Sequence, residues 1–238
     1  MKGLLRYIVK NTTIGPGLLR IYMQTRNRIV PQKILAKRKF INLLGYEPDL
    51  DFPKTFNEKI QWLKLHDRTP LHTECADKYA VRNYVERKIG GEYLIPLVFH
   101  TENANDVVPE NLPDFPVIIK TNHDSSGGVI VYDKSQTDWS IVRQNLRKKL
   151  RKNYYYGKGE WQYKNIRPCV IAEKLLTDEN GHIPVDYKFF CFNGEVRVIQ
   201  VDIDRQTDHK RNMYDENWNK LACMYVYENG PDVARPAC

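Results

Sequence analysis

With 238 residues, 42% hydrophobic and 28% charged, the chain has the composition of a globular protein of one domain or two small ones. It has no run of about eighteen apolar residues to span a bilayer, and its start lacks the apolar core and cleavage site of a secretory signal, so a cytoplasmic location is expected. The net charge of +8 conceals an asymmetry: ten Lys or Arg precede Glu47 and no Asp or Glu does, leaving 27 of the 37 basic residues against 29 acidic ones. Cys75, Cys169, Cys191, Cys223 and Cys238 are odd in number and lack Cys-x-x-Cys spacing, which reads as free thiols filling core.

Residues 1–46 read as a basic helical arm, with Leu4, Leu5, Ile8 and Leu18, Leu19, Tyr22 in helical spacing, interrupted by Gly15-Pro16-Gly17 and Pro31. Three roles are open for it: a cap folded on the body, a peripheral contact with anionic membrane, or a nucleic-acid arm. Anionic lipid attracts each surface Lys or Arg by about 1 kcal/mol. The near-neutral body offers no footprint to continue a nucleic-acid site, so no nucleic acid is expected. Residues 47–110 read as a helical part of the body. There Thr55-Phe56-Asn57-Glu58 is a capping box opening a helix whose apolar face is Phe56, Ile60 and Leu63, read as scaffold. A second helix is expected from about Asp77, with Val81, Tyr84 and Val85 inward, ending at Gly90-Gly91 in the left-handed conformation. A strand over 93–99 follows, broken by Pro96, which fits an edge or a strand end.

Val117-Ile118-Ile119-Lys120 then reads as a buried strand ending on a lysine, followed by Thr121-Asn122-His123-Asp124-Ser125-Ser126-Gly127-Gly128 and a second strand over 129–132. A lysine at a strand end beside a small-residue loop suits polyphosphate, since the ammonium is a point charge and exposed loop N–H groups form an anion-binding concavity. Neither Gly-x-x-x-x-Gly-Lys-Ser/Thr nor Gly-x-Gly-x-x-Gly is present. A helix is expected over 138–152, an aromatic loop over 154–163, a strand over 169–172, and paired strands over 186–192 and 195–202 about the hairpin signal Asn193-Gly194. The fold class is α/β (α+β), with a mixed, substantially antiparallel sheet and helices.

Several segments together resemble the TupA-like group of the ATP-grasp ligases, found in bacterial polysaccharide biosynthesis. These are Phe56-Asn57-Glu58-Lys59-Ile60-Gln61-Trp62, Ala76-Asp77-Lys78-Tyr79-Ala80-Val81-Arg82, Lys120-Thr121-Asn122-His123, Asn153-Tyr154-Tyr155-Tyr156, Asp186-Tyr187-Lys188-Phe189-Phe190 and Asp202-Ile203-Asp204-Arg205, and the resemblance covers about residues 52–233. It implies an ATP-grasp-like fold with a nucleotide-binding subdomain over 111–176 and a C-terminal subdomain over 177–238. It further implies that Lys78 and Lys120 contact phosphates and that Ser125, Ser126, Gly127 and Gly128 form the mobile loop over them. Glu173, Lys174 and Leu175, with Leu176, resemble the hinge that receives adenine. A surface ion pair for Lys78 and a plain hairpin turn for the serines and glycines are the alternatives.

In this fold Asp186 and Lys188 lie on paired strands flooring the nucleotide site. Asp202 and Asp204 could approach magnesium if the strand continues that far, and they could equally be ion-paired strand-end residues. Arg205, His209 and Arg211 suit an anionic acceptor such as a sugar carboxylate, an amino-acid-like substrate or a phosphate, or else are solvated loop charges. ATP-grasp enzymes usually take magnesium from an Asp on a late strand and a Glu-x-Asn on the next. This sequence stops before such strands, so the C-terminal part of the fold is expected to be incomplete. The implied function is an ATP- and Mg2+-dependent carboxylate–amine ligase of cell-surface polysaccharide biosynthesis, at the inner face of the plasma membrane. The alternatives are a phosphotransferase, a glycosyltransferase-like enzyme, or a non-catalytic binding remnant.

Overall fold

The computed structural model describes residues 21–22, 25–26, 28–125, 127–179, 181–205 and 207–236. The apolar spacing of Leu4, Leu5, Ile8, Leu18 and Leu19, and the readings of Ser126 and Cys238, lie outside these residues. The chain divides into two compact units, Met1–Leu175 and Leu176–Cys238.

In the first unit, α1 (Gln32–Leu44) starts after Pro31 and ends at Gly45, whose φ of 78° is readily reached only without a Cβ. The second helix, α2 (Phe56–His66), carries the expected capping box. The Thr55 hydroxyl accepts from Glu58 N at 3.3 Å. The Glu58 carboxylate accepts from the backbone N–H groups of Thr55 (2.8 Å), Lys54 (3.0 Å) and Asp49 (3.1 Å). Those three bonds turn Glu58 inward, and it is buried. At about 100° per residue the opposite side of the helix is Phe56, Ile60 and Leu63. The apolar face read as scaffold therefore points outward, its three residues 66%, 38% and 43% exposed.

The backbone bonds from Thr55, Asp49 and Lys54 hold the Glu58 pKa down at about 2, against an ordinary 4.5. A depressed carboxyl contributes stability above its unfolded pKa and loses it as pH falls through the folded one. Glu58→Gln is accordingly expected to melt at a lower temperature at pH 7 and to show a flatter decline between pH 4.5 and about 2. Thermal melts across that range by circular dichroism test this, and an unaltered acid limb would refute it.

A short helix, α3 (Pro70–Ala76), was not anticipated; Pro70 occupies its first position, where the missing N–H costs nothing. It is followed by α4 (Val81–Ile89), which ends at Gly90 with φ 106° and ψ 156°, a positive φ outside the left-handed helical region expected there. Four antiparallel strands form the sheet in the order β1-β4-β2-β3: β1 (Leu97–Thr101), β2 (Val117–Thr121), β3 (Val129–Val131) and β4 (Val170–Lys174). The strand expected over 93–99 begins only after Pro96, and a 3-10 turn covers Gly91–Tyr93. Pro96 directly precedes β1, which also lies at the sheet edge, so both placements that the proline fits are met.

Residues of alternating faces meet different fates. Val117, Ile119, Val170 and Ala172 pack with Val142 and Leu146 of α5 (Trp139–Leu150), whose N-terminus is capped by the Asp138 carboxylate. Lys120 and Glu173 lie on the other face. The expected aromatic loop is a short helix, α6 (Tyr154–Lys158), and a 3-10 turn, Trp161–Tyr163. Among the four described cysteines only Cys169 is core; Cys75, Cys191 and Cys223 are exposed, against the reading as filler. Burial pushes the Cys169 thiol up to about 12, so it is inert.

The second unit is an antiparallel meander of β5 (Asp186–Phe192), β6 (Glu195–Ile203) and β7 (Lys210–Asp215). Asn193 and Gly194 take φ 51° and 84°, as the hairpin requires. Ile199, Val201, Ile203 and Tyr214 form its apolar core, with Tyr187 and Trp218 against them. The register Asp186↔Asp202↔Arg211 and Lys188↔Gln200 collects charged groups on the opposite face.

Candidate functional site

In the first unit the site is built around the end of β2. Lys120 Nζ stands 2.5 Å from Glu173 Oε2, and Arg82 of α4 reaches Glu173 Oε1 at 3.1 Å. Arg82 also donates to Ile95 O at 2.8 Å, so its fork is fixed. Two cations on one buried carboxylate leave this cluster with a surplus positive charge. Lys78 lies just beyond α3, and its ammonium donates to Thr121 O at 3.2 Å and to Asp124 O. Burial pulls the Lys78 pKa below the ordinary lysine value; the Asp124 carboxylate opposes that, and Lys120 adds to it. The two lysines, from distant segments, are close enough to repel each other, which an anionic ligand would relieve.

Asn122 ties the elements together. Its amide nitrogen donates to Asp77 Oδ1 at 2.8 Å and Arg167 O at 3.0 Å, and its oxygen accepts from Cys169 N at 2.8 Å. His123 bridges Asn122 Oδ1 (3.1 Å) and Lys152 O (3.0 Å). Asp124, Ser125, Gly127 and Gly128 follow this buried knot in the chain. Ser125 Oγ lies 2.6 Å from Tyr154 OH, and Lys149 donates to Gly127 O at 3.3 Å. Gly127 has φ 76°, and a Cβ on Gly128 would sit 2.9 Å from Ile119 O, so both positions need glycine. Arg82, Asp77 and Asn122 carry this geometry without having been singled out from sequence. The one signal for them was their place inside the segments containing Lys78 and Lys120.

The hinge expectation fares differently. Glu173 is a strand residue held in the ion pair with Lys120 and Arg82. The N–H groups of Lys174 and Leu175 are bonded to Pro96 O and Pro116 O, at 3.0 and 2.9 Å, so neither is open to a base edge.

In the second unit the charges converge on Asp202, which is 1% exposed. Its Oδ1 accepts from Arg211 Nε at 2.6 Å and His209 Nε2 at 3.0 Å. Its Oδ2 accepts from Lys188 Nζ at 2.6 Å and Gln200 Nε2 at 2.8 Å. Burial by itself would raise this carboxyl's pKa; the bonds from Arg211, Lys188, His209 and Gln200 outweigh it and hold the group well below the usual carboxylate range. Asp186 accepts from Lys188 at 2.6 Å and from Arg205. The Arg211 guanidinium lies 5.3 Å from the Tyr225 ring centre and 4.8 Å from that of Tyr227, on which His209 stacks at 3.7 Å. Three permanent cations, Lys188, Arg205 and Arg211, thus face two carboxylates.

Asp204 does not share a face with Asp202: β6 ends at Ile203, and Asp204 turns away with φ 50°. With both Asp202 oxygens taken, the ion-paired reading of that residue is the one the geometry displays. No group of three or more His, Cys, Asp or Glu among the described residues is placed to hold a metal ion. Asp202 and Asp204 are thus not presented together to a magnesium ion.

The model of the family described as TupA-like ATPgrasp matches residues 58–234. The chain belongs to that family. No curated protein and no solved structure matches it. The antiparallel sheets with flanking helices are those of an ATP-grasp-like α+β fold. No helix among the described residues is long and apolar enough to cross a membrane.

Proposed function

We propose that this protein binds ATP and acts as a carboxylate–amine ligase on a cell-surface polysaccharide precursor. The observation that carries the reading is the convergence of Lys78 and Lys120 beside the glycine loop 124–128, in a chain of the TupA-like ATPgrasp family. In that reading Lys120 exchanges Glu173 for a phosphate oxygen while Arg82 keeps Glu173 compensated. Lys78, anchored to the Thr121 and Asp124 carbonyls, sets the loop whose Gly127 and Gly128 N–H groups approach the phosphates. A substrate carboxylate oxygen bonds to the γ-phosphorus as the bond to ADP breaks. The amine nitrogen then attacks the acyl carbon, phosphate leaves, and the ammonium proton is released to give the amide. The surplus positive charge of Lys188, Arg205 and Arg211 in the second unit favours an anionic saccharide or amino-acid-like acceptor.

The test is ADP release by the whole chain, with candidate acceptor acids and amines supplied singly and together. Release that requires both an acid and an amine supports the ligase; release driven by an alcohol alone identifies a phosphotransferase, and turnover of a nucleotide sugar a glycosyltransferase. Absence of nucleotide binding in a folded chain refutes the reading.

A further inference from the structure

We propose that the outward face of α2, with Phe52 just before it, is a docking surface for an anionic lipid membrane. Phe56, Ile60 and Leu63 recur at i, i+4 and i+7, forming one apolar stripe along a helix of 11 residues, and all three are exposed. Phe52, preceding the capping box, is 77% exposed. Large aromatic and aliphatic side chains clustered in water mark a contact surface rather than scattered surface residues. A helix this short cannot cross a bilayer, which takes about 20 residues, so it lies in the interface.

Charge decides the occupant. Lys54 and Lys59 are exposed beside the stripe, and neither ammonium has a carboxylate partner among the described residues. The single acid of α2, Glu58, is turned to the opposite side and buried against backbone N–H groups. The face is thus apolar and flanked by two ammonium groups without carboxylate partners, while the acids at its two ends, Asp51 and Asp67, lie against Lys33 at 2.6 Å and His72 at 3.7 Å. A second copy would bring two lysine-flanked faces together. The chain's own residues 1–20 carry Lys2, Arg6, Lys10 and Arg20 and no acid, so they too would be repelled. An anionic leaflet satisfies both halves of the pattern, taking the rings and aliphatic groups below the headgroups and pairing the ammonium groups with phosphates. The neighbouring α1 repeats the composition, with Ile34, Arg38 and Ile41 exposed at i, i+4 and i+7 and no acid along its length. The sequence expectation places membrane contact in residues 1–46; this face lies at 52–63, and the inference stands apart from the nucleotide reading.

The experiment is co-sedimentation of the full chain with vesicles of phosphatidylcholine alone and of phosphatidylcholine with phosphatidylglycerol. Two double variants are run beside it, Phe56→Ser/Leu63→Ser and Lys54→Glu/Lys59→Glu, with circular dichroism confirming that these surface changes leave the fold intact. Binding to the anionic vesicles only, weakened about tenfold or more in each variant, is expected. Undiminished binding by Phe56→Ser/Leu63→Ser overturns the proposal and puts the contact in the basic residues before Glu47. Failure of the full chain to bind anionic vesicles also overturns it. So does loss of a dimer in Phe56→Ser/Leu63→Ser by analytical ultracentrifugation, which would assign the face to a second copy.

Discussion

Lys120→Ala is expected to weaken ATP binding about 100-fold, equivalent to about 2.7 kcal/mol, while the chain stays folded. The ammonium is on the sheet face opposite the core, so its removal opens no cavity among Val117, Ile119 and Val142. The carboxylate it leaves behind is still held by Arg82 at 3.1 Å, which limits the structural cost. Without nucleotide, Lys120 is bound to Glu173, and ATP must compete with that carboxylate for it. Glu173→Gln is therefore the informative companion, because it releases Lys120 without removing it. Calorimetric titration with ATP is expected to give equal or tighter binding for Glu173→Gln and about 100-fold weaker binding for Lys120→Ala. Unchanged affinity in Lys120→Ala would sink the phosphate assignment. Equal losses in both variants would show that the pair holds the sheet together and does not itself meet nucleotide.

How far such a cluster could be read from sequence depends on the range over which the forces act. The strand delivering Lys120, the Asn193-Gly194 hairpin, the capping box at Thr55 and the core face of α5 are set by neighbouring residues, and the structure reproduces them. The direction in which a correct element faces is not a local property. The periodicity of Phe56, Ile60 and Leu63 marked a helix with one apolar stripe, and the usual inference that the stripe faces the core failed. Glu58, satisfied by three backbone N–H groups from the preceding turn, had already claimed the inward side. The partners of buried charge were equally hidden, since Arg82 and Glu173 are 91 residues apart and meet only once α4 packs beside the sheet. Lys120 stood out because a lysine beside a glycine loop has few reasons to be there, and Lys78 only through the resemblance to the ATP-grasp ligases. Asn122 did not, because a buried amide tying three segments together looks like any asparagine in a turn. In the second unit, Asp202 and Arg211 were legible as charged residues on paired strands. Which of them bonded which was set by the register of β6 against β7, and that placed Asp202 in ion pairs with Arg211 and Lys188.

The same register makes Asp202 the residue whose loss should cost the second unit most. Asp202→Ala is expected to destabilise that unit by about 3–5 kcal/mol, because Arg211, Lys188 and His209 would remain gathered about a site with no counter-charge. A domain of this size has about 3–9 kcal/mol in all, so the variant should leave the meander largely unfolded at room temperature. Asp202→Asn separates charge from shape. It can keep the acceptor facing Arg211 and His209, but it turns an amide N–H2 toward Lys188 and Gln200, both donors, and is expected to fall between the wild type and Asp202→Ala. The carboxyl's folded pKa lies below its ordinary 3.8, so its contribution is fully present above that pH and is lost as pH falls toward the depressed value. Acid titration followed by tryptophan fluorescence, with Trp218 packed against the meander core as reporter, should show unfolding of the second unit beginning below about pH 4 in the wild type. The transition should be flattened in Asp202→Asn. An acid transition identical in the two proteins would mean that Lys188, His209 and Arg211 do not act through Asp202, and would return that residue to the metal-binding reading.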